Sequence, residues 1–385
     1  MEAGIYPYYR PLSASHGPTV EHDGKHVLMF GSNSYLGLSD RAEVKEAAAR
    51  AIDRYGTGCG GSRLLNGTID LHEQLEARLA SFVGKQAAAV FASGYQTNLG
   101  VLSALLGRHD VLLHDEHNHA SLLDGGRLSF ARSSKFTHND PAALDAALAL
   151  SHPSDPHALQ LVAVDTVFSM EGDVAPLADI AAACKKHGAA LLVDEAHGLG
   201  VLGENGRGSA FAFGVDADLV MGTFSKSLAS VGGFIAANED LVRFIKHKAR
   251  SMVFSASLSP ANSASALAAL DLIEREPELV LKLRANANYA RSALARRGLV
   301  TQADDGYGVP IIPIPVADEA FALRMATTLL ARGVFVNAVI PPAVPRGTAM
   351  LRFSVMATHS PGQIDKAVET IAQVKAEIHA ALAAA

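Results

Sequence analysis

The chain has 385 residues, 49% hydrophobic and 19% charged, a balance that excludes a disordered protein and allows one large domain with a smaller companion. A formal net charge of -6 gives no electrostatic case for nucleic acid. The two cysteines, Cys59 and Cys184, imply no disulfide framework and fit a reducing cytoplasm.

The opening Met1-Glu2-Ala3-Gly4-Ile5-Tyr6-Pro7 has neither a basic region nor an apolar core, so it does not read as a signal peptide. No stretch approaches about eighteen uncharged apolar residues, the length a spanning helix needs. The expected location is cytoplasmic, with peripheral contact at the inner membrane face left open. An arm runs to about residue 45, with Val27-Leu28-Met29-Phe30 as a short strand and Gly31 to Leu38 as turn chemistry. The cluster Asn33-Ser34-Tyr35 within it has a structural and a functional reading. Glu43 to Tyr55 is an alanine-rich helix.

Gly56-Thr57-Gly58-Cys59-Gly60-Gly61 matches a dinucleotide-binding glycine pattern, but that fingerprint must follow a strand and this one follows a helix. Its glycines suit a tight turn or a close approach to a ligand or subunit. Ser62 to Thr68 continues the loop, and Asp70 to Phe82 has a helical apolar period. From about residue 86 to 237 strands and helices alternate, the pattern of an α/β protein with a mostly parallel sheet flanked by helices. Ala87 to Phe91 is a strand. Ser93-Gly94-Tyr95 then opens a helix, which suits a phosphate at a helix N-terminus and equally an ordinary capped start.

Val111-Leu112-Leu113 runs into His114-Asp115-Glu116-His117-Asn118-His119, which contains no i, i+4 pair of histidines. No metal is expected there; His119, just before a helix, suits stacking on a cofactor ring. Leu159 to Val164 is the next strand, and Ala178 to His187 a helix. Ala189 to Val193 is a buried strand that ends in Asp194-Glu195-Ala196-His197. Those four residues also spell a helicase-type box, but the phosphate loop it requires is nowhere in the chain.

Asp218-Leu219-Val220-Met221 is another buried strand, and Gly222-Thr223-Phe224-Ser225-Lys226-Ser227 follows it. Desolvation there lowers a lysine's pKa and frees the amine for a Schiff base with an aldehyde. A lysine for the aldehyde and Asp194 for a pyridinium nitrogen are what pyridoxal phosphate needs from a protein. Gly232 to Ala236 is a return strand, and Phe254 to Pro260 a hydroxyl-rich turn that reads as an N-cap or a phosphate contact. Beyond about residue 275 come helices at Glu278 to Arg297, Glu319 to Arg332 and from Pro361 onward. Val309 to Pro315, whose prolines suit an edge, is a short strand, as are Gly333 to Val336 and Met350 to Met356. Arg352, inside that last apolar run, wants a carboxylate or an internal salt bridge. The expected division is an arm at 1–45, a large domain at 46–275 and a small α+β domain at 276–385.

Taken together, the chain resembles the α-oxoamine synthase family of fold-type I pyridoxal phosphate enzymes along nearly its whole length. The resemblance rests on Ser32 to Leu38, Gly61 to Thr68, Ser93 to Gly100, His119 to Ser121, Asp194 to His197, Gly222 to Ser227, Phe254 to Leu258 and Arg352. Met29 to Leu38, Gly222 to Gly233 and Pro341 to His359 resemble the branch that joins L-serine to palmitoyl-CoA, giving 3-ketodihydrosphingosine, coenzyme A and carbon dioxide. Branches making 8-amino-7-oxononanoate or aminoketobutyrate share the core, and an aminotransferase or a non-catalytic subunit are further alternatives. The resemblance implies that Lys226 carries the cofactor, Asp194 keeps its ring nitrogen protonated, His119 stacks on the ring and His197 bonds its phenolic oxygen. It further implies that Gly94, Tyr95, Ser169, Thr223 and Ser225 bind the cofactor, with Ser255 reaching its phosphate from the partner of a homodimer. Asn33, Ser34 and Arg352 would bind the substrates, an amino acid (serine, glycine or alanine) and an acyl-CoA, with Arg352 on the carboxylate. One departure stands out: Ile340 precedes Pro341-Pro342 where some relatives carry an arginine.

Overall fold

In the computed structural model the chain begins with three short antiparallel strands, β1 (Ala14–His16), β2 (Thr19–His22) and β3 (Lys25–Met29). Residues 6–151, 155, 157–301 and 305–383 are described, so the opening Met1 to Ile5 lies outside them. Helices α1 (Ala42–Tyr55) and α2 (Asp70–Val83) follow. Strands and helices then alternate as β4 (Ala87–Phe91), α3 (Gly94–Leu105), β5 (Val111–Asp115), α4 (Ala120–Leu128), β6 (Arg132–Phe136), α5 (Pro141–Leu150), β7 (Gln160–Asp165), α6 (Leu177–His187) and β8 (Ala190–Asp194). The run closes with α7 (Ser209–Ala212), β9 (Leu219–Thr223), β10 (Gly233–Ala237), α8 (Glu239–Lys248), α9 (Arg250–Val253) and α10 (Pro260–Arg275).

The stretches Arg41–Phe168 and Val174–Pro277 form the larger of two units. Its sheet has the order β4-β10-β9-β8-β7-β5-β6, parallel except for β10, which runs antiparallel to both neighbours. Every residue of β7 is buried because helices cover both faces. The side chains alternate accordingly: Leu161, Ala163 and Leu192 enter one core cluster, and Val162, Val164, Leu191 and Val193 the other. The sequence reading left β6 and α5 unassigned. β6 is Arg-Ser-Ser-Lys-Phe, an exposed charged edge without the apolar run that marks an inner strand.

This topology gathers acidic residues where open α/β sheets bind ligands, at the carboxyl ends of the strands. β5, β7 and β8 end in Asp115, Asp165 and Asp194, with Asp165 and Asp194 paired directly across the ladder. Glycines let the neighbouring helix come close. A Cβ on Gly94 would lie 2.8 Å from Thr223 Oγ1, and one on Gly233 would lie 2.7 Å from Gly94 Cα. The glycine-rich loop after α1 also makes a close approach, to protein: Ser257 donates to the Gly61 carbonyl from both its N–H (3.0 Å) and its hydroxyl (2.9 Å). His72 Nε2 reaches the next carbonyl, Leu258, at 2.8 Å.

The described residues of Met1–Asp40, Ser169–Asp173 and Glu278–Ala385 form the second unit. Its later elements are α11 (Glu278–Arg296), β11 (Ile311–Pro315), α12 (Glu319–Ala331), β12 (Val334–Phe335), β13 (Asn337–Val339), β14 (Met350–Ser354) and α13 (Pro361–Ala383). β11 lies at the edge of the β11-β14-β13 sheet, where Pro313 and Pro315 withhold no needed donor. The arm is not a separate segment in this fold: β12 pairs in parallel with β3, so residues before Asp40 share the C-terminal unit's sheet.

Gly233→Ala tests the close approach on which the site depends. The added methyl meets backbone, which cannot step aside, so a loss of about 1–3 kcal/mol of stability is expected, as for other overpacked cores. Denaturant midpoints and pyridoxal phosphate titration measure it, and unchanged values in both would contradict the packing described.

Candidate active site

Asp194 is 2% exposed at the end of β8, and its two oxygens are held separately. Oδ1 accepts the Ala196 N–H (2.9 Å) and Oδ2 accepts Asn98 Nδ2 (2.7 Å). A buried carboxylate needs such donors, and its remaining lone pairs can still accept a protonated ring nitrogen. On the next strand the Asp165 carboxyl is pushed well above the usual carboxylate range, first by burial and then by the negative charge of Asp194. Its Oδ2 accepts the His119 N–H at 2.6 Å.

His119 caps α4 and exposes its imidazole, with Nδ1 accepting from the Ser121 N–H (3.3 Å) and lying 2.8 Å from Ser121 Oγ. Desolvation by its surroundings pushes the imidazole below its ordinary value; Asp194 raises it and Lys226 lowers it, which puts both charges within electrostatic reach of the ring. Lys226 is half-buried in the turn after β9. That turn closes through Ala229 N–H to the Lys226 carbonyl (3.2 Å), with Ala229 at φ 53°. His197 is buried in the turn that follows β8.

The N-terminal turn of α3 has N–H groups that could hold an anion. Ser93 caps Gln96 N–H at 3.1 Å, while the Gly94 and Tyr95 N–H groups precede the helical ladder. The Tyr95 ring stands edge-on to His119, its centroid 6.3 Å away, and its hydroxyl bonds Asp124. Thr223 Oγ1 is 3.0 Å from Ser225 Oγ, and the space beside Thr223 exists only because position 94 lacks a Cβ. Ser255 Oγ accepts Gln96 Nε2 (3.3 Å), so this hydroxyl, expected to serve a partner's phosphate, is held at α3 of its own chain. Ser259, not Ser255, caps α10.

The remaining expected residues lie in the second unit. Arg352 is 5% exposed and has no acidic partner among the described residues. It donates to the Ser169 carbonyl, Asn33 Oδ1 (3.0 Å), Ser354 Oγ (2.7 Å) and Tyr35 Oη (3.4 Å). A buried guanidinium among neutral oxygens still lacks a counter-charge, which the internal salt bridge would have supplied. Ser169, expected at the cofactor, thus offers its carbonyl to Arg352. Ser34 Oγ is 3.2 Å from Ser39 Oγ. Ile340 packs half-buried against this unit's core and offers no charge.

The amine of Lys226, the carboxylate of Asp194, the exposed imidazole and the cradle at Gly94 together fit pyridoxal phosphate. Among the described residues no group of three or more His, Cys, Asp or Glu could hold a metal ion. The histidines before His119 are engaged locally: His114 Nδ1 lies 3.1 Å from the Asp115 carbonyl, and His117 stacks at 4.1 Å on His138, which pairs with Asp115 at 2.9 Å. Glu195 of the helicase-like box accepts from Thr166 Oγ1 (2.8 Å) and the Ala210 N–H (2.7 Å), a buried structural clasp. No helix is long and apolar enough to cross a membrane among the described residues. Sequence reasoning missed Asn98, Ser121 and Asp165 as site members, since their partners are distant in the chain or lie within a single loop.

The adjacent carboxyls give a paired prediction. Asp165→Asn keeps an acceptor for the His119 N–H, so pyridoxal phosphate affinity should stay within about threefold. Asp194→Asn removes the buried carboxylate charge and should weaken binding by about 10–100-fold, the usual scale for a hydrogen bond to a charged group. Absorbance titration of the two purified variants checks the contrast, and equal losses would contradict it.

The family described as aminotransferase class I and II matches residues 25–371. A serine palmitoyltransferase of Sphingobacterium spiritivorum is 48% identical over 373 residues, covering 96% of this chain and 92% of the relative. An 8-amino-7-oxononanoate synthase of Geobacter sulfurreducens is 44% identical over 382 residues, covering 98% and 96%. Among solved structures, SPT with the PLP internal aldimine is similar at a TM-score of 0.94 and 34% identity, covering 98% of this chain and 95% of that one. The chain therefore belongs to the aminotransferase class I and II family and has the fold of a fold-type I pyridoxal phosphate-dependent transferase.

Proposed function

We propose that this pyridoxal phosphate-dependent acyltransferase condenses an L-amino acid, serine foremost, with a long-chain acyl-CoA such as palmitoyl-CoA, releasing coenzyme A and carbon dioxide. The observation that carries this reading is the 48% identity to a serine palmitoyltransferase across almost the whole of both chains. With serine and palmitoyl-CoA the product is 3-ketodihydrosphingosine, and the reaction opens sphingolipid synthesis. When bound, pyridoxal phosphate supplies an electron sink for negative charge at the amino acid's α-carbon.

The residues divide the remaining work. Lys226 would anchor the cofactor, and its amine would take and return the amino acid's α-proton. Asp194 keeps the ring nitrogen protonated by charge, and His119 and His197 orient cofactor and substrate. Gly94, Tyr95, Thr223 and Ser225 would hold the cofactor through N–H groups and hydroxyls, with Ser255 reaching its phosphate from the partner subunit. Arg352, a buried cation without an acidic partner among the described residues, receives the amino acid's carboxylate with Asn33 and Ser34 nearby in sequence or bonding. Arg352 then suffices without an arginine at position 340. The working form in this reading is a homodimer.

A second reading, 8-amino-7-oxononanoate synthesis, is favoured by the 44% identity to the Geobacter sulfurreducens protein. A competition assay separates the two. Purified protein receives serine, glycine and alanine together with palmitoyl-, pimeloyl-, succinyl- and acetyl-CoA, and products are identified by mass. A dominant ketodihydrosphingosine peak is expected; an alanine-derived short-chain aminoketone would move the chain to the other branch. With the preferred amino acid, Arg352→Lys should raise its KM by about 10–100-fold and leave the KM for acyl-CoA unchanged, because only carboxylate recognition is lost.

A further inference from the structure

Asn98 lies in the second turn of α3 and is 1% exposed. Its Nδ2 donates both to Asp194 Oδ2 (2.7 Å) and to Ser121 Oγ (2.9 Å). With its oxygen already accepting from Asn98, Ser121 can direct its own hydrogen at His119 Nδ1, 2.8 Å away. The Ser121 N–H also points at that nitrogen, but at 3.3 Å it is the weaker of the two contacts. Nδ1 is therefore the acceptor, and the proton of the neutral ring sits on Nε2.

The amide's other end has no such partner. Asn98 Oδ1 is buried without a hydrogen bond among the described residues. Leaving a buried carbonyl unpaired is unfavourable, and most proteins avoid it. Rotating the amide would set that oxygen against the Asp194 carboxylate and forfeit both donations. The orientation is thus dictated by where the two N–H groups are needed.

We propose that Asn98 is a positioning residue which, from one amide, fixes the Asp194 carboxylate and, through Ser121, the tautomer of His119. This rests on the reading of Asp194 and His119 as the residues that hold pyridoxal phosphate. An aspartate could not substitute: ionised it would oppose the Asp194 carboxylate, and protonated it would carry one donor for two acceptors.

The test uses the full chain, first without cofactor and with labelled histidine, so that nitrogen NMR shifts report the His119 tautomer. The wild type is expected to show the Nε2–H form alone, and Asn98→Ala and Ser121→Ala a mixture of both. On loading with pyridoxal phosphate, the pH midpoint of the visible absorbance should move by about one unit in Asn98→Ala and stay in place in Ser121→Ala, since only the first touches Asp194. A single Nε2–H form in both variants, or an unmoved midpoint in Asn98→Ala, would overturn the proposal. Should Asn98→Ala not fold, Asn98→Ser, which carries one donor instead of two, takes its place. If the wild type takes up no cofactor, the cofactor reading fails, and the tautomer measurement still decides the Ser121 relay.

Discussion

A carboxylate moved from water into a protein core is unfavourable by several kcal/mol unless donors and a counter-charge meet it. Asp194 is such a group, and much of the larger unit serves to place it. β8 delivers it to the carboxyl edge of the sheet, the Ala196 amide holds one oxygen, and α3 brings Asn98 to the other. α3 can come that close because Gly94 and Gly233 have no side chains. The same approach brings the start of α3 against Thr223, whose hydroxyl lies 3.0 Å from that of Ser225.

The neighbouring Asp165 meets Asp194 directly across adjacent strands. Burial and the charge of Asp194 favour its protonated form, and it holds the backbone of His119 from there. Burial also pushes the His119 imidazole below its ordinary value, so desolvation acts on both groups that neighbour Asp194. The balance is local, and the chain's net charge plays no part in it.

Much of this was legible in the sequence because it is local. β4 is found at the expected Ala87–Phe91, and β8 and β9 at the apolar runs before Asp194 and Lys226. The proline-bearing β11 takes the edge that its missing donors require. What was not legible depends on partners far apart in the chain. Asn98 reads as one more polar residue in a helix start until Asp194, 96 residues later, comes alongside. The pairing of β12 with β3 joins residues some three hundred apart, so no composition shift near residue 45 could reveal it. β6 was missed for a different reason: an exposed edge strand has no apolar signal. Arg352 was legible as a cation in an apolar run, and among the described residues it bonds neutral oxygens in place of an acidic partner.

The central claim is that Lys226 anchors the cofactor whose ring nitrogen Asp194 serves. It is tested most directly by loading the purified chain with pyridoxal phosphate, reducing with borohydride, and locating the added mass by peptide sequencing. A single phosphopyridoxyl group on the peptide containing Lys226 is expected. The group on a different lysine, or no stable addition at all, would contradict it.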